Sequence, residues 1–508
     1  MKRVSGLDEK GRYESLPAGV ELYTLFEDKV PWARFTETEL RRLGSAMRDI
    51  GTSNTSALAG YTYLGQFLAH DLSRLRVTAD HNKTVKSFTT DILRSDVSSV
   101  LDLSSVYDSA TANSPMRESG SACMALGAVQ VNDGHTMPGY DLPRDGLKAC
   151  IGDDRNDENL IVSQLHVQFL RLHNFFVGRI GNEQPHLDVE ALFRAAKEQV
   201  ILHYQDVIRH DFLYEILHPA VWRAIMLENN GILWKPVKGE PAVLPTEYSA
   251  AAGRFGHAMV QKTYNLNRDT SVALADLFTM TGAGRFDGRY QRLPASHMVD
   301  WRLFFDFPDH GYRGLPLRNR ALRISPRVRI DLTNTDSLPV PEEDNLATRN
   351  LLRGYQMRLG SGQAATHYVQ SCFQRQLAEH EIPLELLSHD ALNLNEPNYR
   401  QQVLDSCSPS LLDHTPLWYY LLAEACEKPV EGIIKLGPLG SLIMAESIRG
   451  LLQLDSNSIL HQRRSMAYIT PTKRIQARPG QRFLQMSDLI LVANAGNPDP
   501  RPYRTSTQ

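Results

Sequence analysis

Cysteine is scarce in this chain: five residues, at positions 123, 150, 372, 407 and 426 of 508. The odd count and wide spacing exclude a disulfide framework and fit a reducing compartment. No two of them stand as C-x-x-C, which excludes the common structural zinc patterns. Long apolar runs are also missing. No stretch approaches the ~20 residues of a membrane-spanning helix. The opening Met1-Lys-Arg-Val-Ser-Gly-Leu-Asp-Glu-Lys-Gly-Arg-Tyr13 lacks the apolar centre of a secretory leader. The expected location is the cytoplasm, or the exterior by a route without a cleaved N-terminal signal. Positive charge is not in excess: 55 Lys and Arg stand against 58 Asp and Glu, a net charge of -3. That is not the basic footprint of a nucleic-acid binder, and no nucleic-acid partner is expected. The arginines near the C-terminus (Arg463, Arg464, Arg474, Arg478, Arg482) are scattered and read as a solvated surface. Internal repeats are absent and strand signals are few. Nothing in the sequence sets an oligomeric state.

What is present is helical. Thr36 with Glu39 three residues on makes a capping box, predicting a short helix to about Asp49. A Gly/Ser/Thr/Asn loop, 51–56, leads to an opening helix over roughly 57–74. Residues 76–150 read as loops and short turns, a length of irregular chain that usually serves a function. Apolar spacing predicts a long helix after Asn159, reaching about Ile180, and another near 188–217. A Gly/Pro-rich connection over 228–245 precedes a third helix at about 246–262. Short helices and loops fill 265–340, a fourth helix covers Asp344 to Gly354, and 409–455 is helical with a break at 436–440. The tail from about 456 is polar and rich in proline. The class is mainly α: one large helical domain with long loops and little β. The expected division is an N-terminal extension over 1–50, a catalytic domain over 51–455 and a C-terminal extension over 456–508.

Four stretches carry polar groups that a core would not choose. Tyr63-Leu-Gly-Gln-Phe-Leu-Ala-His-Asp-Leu72 is apolar apart from Gln66, His70 and Asp71. Gln66 and His70 share a helix face, whereas Asp71 lies about 100° round the axis and serves another neighbour. Val97 to Tyr107 reads as extended and oxygen-rich, with Ser98, Val100, Asp102 and Ser104 offering the hydroxyl, carbonyl and carboxylate oxygens that hard cations want. Arg155 and Glu158 are three apart at a helix start. His257 follows Gly256, which permits close approach of a flat ligand. Singly, each stretch is ordinary: a satisfied core histidine, a hydroxyl-bearing loop, a histidine packed beside glycine.

Together, in order along about 57–455, they resemble the animal-type haem peroxidases of the peroxidase–cyclooxygenase superfamily. Gly65-Gln-Phe-Leu-Ala-His-Asp71 resembles the distal-histidine motif. Arg155-Asn-Asp-Glu158 with Gln164-Leu-His-Val-Gln-Phe-Leu-Arg-Leu-His-Asn174 resembles the distal-arginine helix. Arg254-Phe-Gly-His257 resembles the proximal motif, and Asn350-Leu-Leu-Arg353 the segment that supplies its asparagine partner. Leu142-Pro-Arg144, Ser361-Gly-Gln363, Thr415-Pro-Leu-Trp418 and Phe483-Leu-Gln-Met-Ser-Asp-Leu489 resemble a bacterial branch.

The resemblance implies haem b ligated by His257, whose other ring N–H Asn350 would accept. It implies His70 as the base that moves the peroxide proton, Arg155 as the charge that stabilises O–O cleavage, and Gln66 lining the water or halide site. Arg254 and Arg353 would lie near haem propionates. It implies calcium held by Asp71, Ser98, the Val100 carbonyl, Asp102 and Ser104. Departures limit the haem linkage. Ala69 stands where ester-linked members carry an aspartate, leaving Glu158 as the one ester position, and Asn159 stands where one mammalian member has a linking methionine. Val299 stands where the oxygenase branch has its tyrosine. The expected activity is reduction of hydrogen peroxide with oxidation of a small organic or halide donor. The alternative is a haem-dependent oxygenase of a lipid or natural product. A haem-binding protein without turnover would need neither His70 nor Arg155.

Overall fold

The computed structural model describes residues 2–3, 23–26, 29–47, 54–73, 75–76, 94–95, 100–131, 135–237, 239–240, 242–281, 292–308, 317–329, 345–393, 410–427, 435–462, 475 and 481–499. Ser98 and Cys407 lie outside them. Cys123, Cys150, Cys372 and Cys426 are free thiols. Among the described residues, no helix is long and apolar enough to cross a membrane.

Helix α1, Glu37–Ala46, starts at the expected capping box: Glu39 N–H donates to Thr36 Oγ1 and Thr36 N–H to the Glu39 carboxylate. Such a cap is worth about 1 kcal/mol. The end of the expected 51–56 loop is instead strand β1, Asn54–Leu58, antiparallel to a strand at Arg320–Leu322. Ser, Thr and Asn tolerate either state, and the partner that decides lies far along the chain. Helix α2, Gly60–Leu72, therefore opens later than expected. Gly60 N–H donates to Phe304 O at 2.9 Å, and a side chain there would overlap Phe304 and Phe305.

The irregular region holds more order than its composition suggests. Strands Gly127–Gln130 and Thr136–Asp141 form a hairpin. The supposed extended stretch 97–107 is, over its described part, a turn through Leu103 (φ 55°) into a helical turn Ser104–Tyr107. Helix α3, Leu160–Glu183, is capped by Asn159, whose side chain accepts from Ile161 and Val162 N–H. It packs on α2, with Phe67 stacked on Phe169 at 4.8 Å between ring centres. Helix α4, Val189–Val207, packs against α3 and runs through a π-helical turn, Ile208–Phe212, into Leu213–Ile216.

The expected helix at 246–262 is broken. Thr246–Ala250 is α-helical, Ala251 leaves the helical region (φ -135°, ψ -77°), and Ala252–Ala258 is 3-10. Gly253 lies so close to Tyr248 that a Cβ would come within 2.9 Å of its carbonyl oxygen, so the chain folds back on itself there. Helix α5, Leu346–Gln356, is capped by Asn345. Helix α6, Gly362–Glu379, went unmarked because its exposed side dilutes the apolar period. Helices α7, Leu417–Glu427, and α8, Pro438–Leu454, flank the expected break, but proline sits at the start of α8, where its missing N–H costs nothing.

The tail is not simply polar. Helix α9, Met486–Ala493, buries Met486, Leu489 and Ile490 and packs on α3. The segments that resemble the bacterial branch brace this body. Gln363 exchanges hydrogen bonds with Thr415 at 2.8 and 2.9 Å, Trp418 Nε1 donates to Arg254 O at 3.3 Å, and Arg144 is bidentate to Asp157 at 2.7 Å on both arms.

Candidate active site

Helix α2 is buried except at Tyr61, Gly65, Gln66, Ala69 and His70, which are half-buried; Tyr61, nine residues before His70, lies on the opposite side of the helix. Gln66 and His70 therefore do share an open face, and Asp71 is fully buried away from it. His70 Nδ1 lies 2.8 Å from Asn156 Oδ1. An amide oxygen can only accept, so Nδ1 carries the proton and Nε2 is the bare base. The same amide gives its nitrogen to His166 Nδ1 at 3.1 Å, which fixes its orientation from behind. Burial, then the charge of Arg155, depresses His70 to about 4, so the ring is neutral near pH 7.

Arg155 sits on the 3-10 turn Asp154–Asp157, which touches α2. Its Nη2 donates to the His70 carbonyl at 2.9 Å. Nε and Nη2 also grip Asp153, at 3.0 and 2.6 Å. Burial works against the Asp153 carboxylate, but the bonds and charge of Arg155 hold it below the usual range. One edge of the guanidinium is thus locked, and Nη1 takes no part in these bonds. Glu158 follows the end of this turn and is exposed by its surface area; burial raises its carboxyl and the charge of Arg155 opposes that.

His257 lies on the 3-10 segment Ala252–Ala258, which also touches α2. A Cβ on Gly256 would meet nothing within 4 Å, so the chain beside His257 has open room. Asn350 of α5, fully buried, meets His257 Nδ1 at 2.9 Å. The polarity differs from expectation. Asn350 Oδ1 accepts from Arg254 Nη1 at 2.8 Å, which turns the amide nitrogen toward the imidazole. A ligating Nε2 needs the proton on Nδ1, which this contact accepts only when the amide turns over and gives up its bond from Arg254 Nη1. Arg254 is thereby a partner of Asn350 and of Ser249 O (2.8 Å), not a side chain free for an anion alone. Burial, then Arg353 and Arg349, lowers Arg254 to about 9. Three clustered guanidinium groups near one imidazole are a setting for an anion with two carboxylates.

Part of the loop expected to hold a cation lies among the described residues. Leu103 N–H donates to Asp71 Oδ2 at 3.3 Å, Ser104 Oγ to the Asp71 carbonyl at 3.4 Å, and Ser104 N–H to Asp102 Oδ1 at 3.1 Å. The Val100 carbonyl accepts from Asp102 N–H at 2.8 Å. Burial, then the charge of Asp102, raises Asp71 well above the usual carboxylate range. Two neighbouring carboxylates on this turn fit a shared cation, whose charge would offset both the burial of Asp71 and its repulsion from Asp102. Among the described residues, no group of three or more His, Cys, Asp or Glu side chains gathers around one point, so hydroxyl and carbonyl oxygens would have to complete the shell. Ser98 lies outside the described residues.

Three partners escaped the sequence reading: Asp153, Asn156 and His166. Asp153 and Asn156 bracket Arg155 in Asp153-Asp-Arg-Asn-Asp157, a run dense in acids around one arginine. That density was the available signal, but only the fold shows which members turn inward.

Residues 72–287 match the family model described as animal haem peroxidase. Over that stretch the chain is similar to the animal haem peroxidases. The matched span holds Arg155, Glu158, Arg254 and His257, and it opens directly after Gln66, His70 and Asp71. The chain is similar to a Drosophila melanogaster peroxidase, 26% identical over 223 residues, covering 40% of this chain and 31% of that protein. It is also similar to Sus scrofa thyroid peroxidase, 26% identical over 297 residues, covering 51% of this chain and 28% of that one. The chain spans less than a third of the length of the curated relatives it matches. Its fold is that of peroxidase A from Dictyostelium discoideum, with TM-score 0.59, 14% identity and 99% of each chain covered. It is equally that of an Oryza sativa fatty acid alpha-dioxygenase, with TM-score 0.60, 14% identity, and 92% and 83% covered. The chain is thus mainly α with few short strands, as the sequence implied.

Proposed function

We propose that this chain is a haem peroxidase that reduces hydrogen peroxide and oxidises a small organic or halide donor. One observation carries the reading: His70 has its Nδ1 tied to Asn156 and its backbone carbonyl tied to Arg155, so a bare base and a fixed cation stand side by side. Haem b, when bound, supplies the redox-active iron at which the peroxide O–O bond is split. His257 would ligate it through Nε2, with Asn350 behind the ring and Gly256 leaving room. Arg254, Arg349 and Arg353 would hold its carboxylates. His70 Nε2 takes the proton from one peroxide oxygen and returns it to the other, which leaves as water. Arg155 offers positive charge where negative charge develops, and its grip on Asp153 means that no reorganisation is needed at that moment. Gln66 lines the same face. Any ester link to haem runs through Glu158, since Ala69 has no carboxyl.

The Asn156 contact makes its own prediction. Asn156→Leu removes the acceptor that fixes the His70 tautomer while keeping the bulk. Orienting partners of this kind are worth roughly ten- to a hundred-fold. The rate of the absorbance change on mixing with peroxide should fall by that order with haem still bound. A rate equal to the parent's would show that Asn156 does not orient His70.

We further propose calcium between Asp71 and the loop carrying Val100, Asp102 and Ser104, with Ser98 completing the set. Asp102→Ala should lower bound calcium and slow the peroxide step together, because Asp71 adjoins His70. Elemental analysis of chain prepared in chelator-free buffer measures the first, and parent protein without calcium would remove the proposal.

A second reading, a haem-dependent oxygenase, is supported by the equal structural likeness to an alpha-dioxygenase. Buried Val299 stands against it, where the resemblance expects a tyrosine. Two assays separate the readings: peroxide-dependent oxidation of a small phenol, and oxygen uptake with a long-chain fatty acid. The peroxidase reading requires the first and not the second.

A further inference from the structure

Behind the face that carries His70 runs a file of aromatic rings that proton transfer does not use. Tyr63 is its inner end. It precedes Gln66 by three residues and His70 by seven, so it shares their helix face, and its hydroxyl lies beside Asn159 and Tyr264. Its ring centre is 6.4 Å from Phe304, Phe304 is 6.0 Å from Trp301, Trp301 is 6.1 Å from Phe305, and Phe305 is 5.6 Å from Tyr61. Rings at such separations are in contact. Tyr63 and Trp301 are buried and Tyr61 half-buried, so the file leads from the interior of the helix packing outward.

The outer end is built differently from a packing residue. Tyr61 Oη donates to Asp211 Oδ1 at 2.8 Å, and Asp211 Oδ2 accepts from Met486 N–H at 2.7 Å. Asp211 lies in the π-helical turn Ile208–Phe212, a distortion frequent at functional sites. Burial raises its carboxyl to about 7. A phenol that loses an electron becomes a strong acid, so its oxidation inside a protein needs a base already in place. Asp211 is that base. Tyrosine and tryptophan are the side chains most readily oxidised by one electron, and the two phenylalanines shorten the gaps between them.

We propose that Tyr63, Trp301 and Tyr61 form an electron path by which phenolic donors too large for the haem pocket are oxidised at Tyr61, an inference that rests on the peroxidase reading. Hydrogen peroxide is the oxidant, acting through the cofactor. Tyr61 gives one electron inward along the rings and its phenolic proton to Asp211. The external phenol then returns an electron to Tyr61, Asp211 returns the proton, and the donor's own proton goes to solvent. Two donors so oxidised supply the two electrons and two protons that convert one peroxide to two waters.

The test uses the full chain loaded with haem. Peroxide is added, the sample is frozen within milliseconds, and its electron paramagnetic resonance is recorded beside the Soret spectrum. Tyramine, free or coupled to dextran, is the donor in parallel assays. The parent protein should show a tyrosyl signal that narrows with ring-deuterated tyrosine. Tyr61→Phe should lose that signal and the oxidation of dextran-bound tyramine, and should oxidise free tyramine as before. Trp301→Phe, which leaves the Tyr61–Asp211 pair intact, should do the same. No tyrosyl signal despite a Soret response would overturn the path and leave the peroxidase reading standing, as would equal effects of Tyr61→Phe on both donors. A parent Soret band indifferent to peroxide would overturn both.

Discussion

His70→Ala is expected to slow the reaction of the haem-loaded chain with peroxide by about a hundred- to ten-thousand-fold, the usual worth of a positioned acid–base group. Haem content should stay at the parent level, because His70 and His257 stand on separate elements. The size follows from preparation. Asn156 keeps the proton on Nδ1, and burial with Arg155 keeps the ring neutral down to about 4. Only the neutral ring can accept the peroxide proton. The parent rate should therefore hold through neutral pH and fall as pH drops through that value, whereas the variant should lack this limb. Stopped-flow mixing measures the step without knowledge of the donor. A variant as fast as the parent would remove His70 from the chemistry.

His257→Ala should have the other large effect, on cofactor binding. Groups that merely orient a ligating imidazole are worth roughly ten- to a hundred-fold in affinity, so losing the ligand should cost more than about a hundred-fold. The fold should survive. Asn350 would lose one partner but keep its 2.8 Å bond from Arg254, and Trp418 would still donate to the Arg254 carbonyl. Titrating haem into parent and variant, with far-ultraviolet dichroism as the control for folding, measures this. Added imidazole should restore part of the binding. Equal affinity in a folded variant would show that the iron ligand lies elsewhere.

Much of the fold was legible because it rests on local rules. The capping box at Thr36, the Asn159 cap and the apolar period after it each declared a helix from neighbouring residues. The misses are where distant contacts decide. Residues 54–58 became a strand because Arg320–Leu322 pairs with them. The helix expected through His257 broke at Ala251 because the chain packs back onto Tyr248. The tail helix Met486–Ala493 looked like part of a polar tail, yet Asp211 and α3 hold it in place.

The site divides in the same way. His70, Arg155, His257 and Asn350 were readable as motifs, and the structure brings His70 to Arg155 and His257 to Asn350. The groups that set their polarity were not readable. Whether an asparagine offers oxygen or nitrogen to a ring depends on its third neighbour: His166 for Asn156, Arg254 for Asn350. Those neighbours come from other elements, and a single sequence does not name them.

The central claim is that a base-and-cation pair beside a histidine-ligated haem splits peroxide. The most direct measurement is the absorption spectrum of the purified full chain with haem, before and within milliseconds after one equivalent of hydrogen peroxide. The account predicts a Soret band that shifts on mixing and returns when a small phenol is added. A haem band that peroxide leaves unchanged in the parent protein would contradict it.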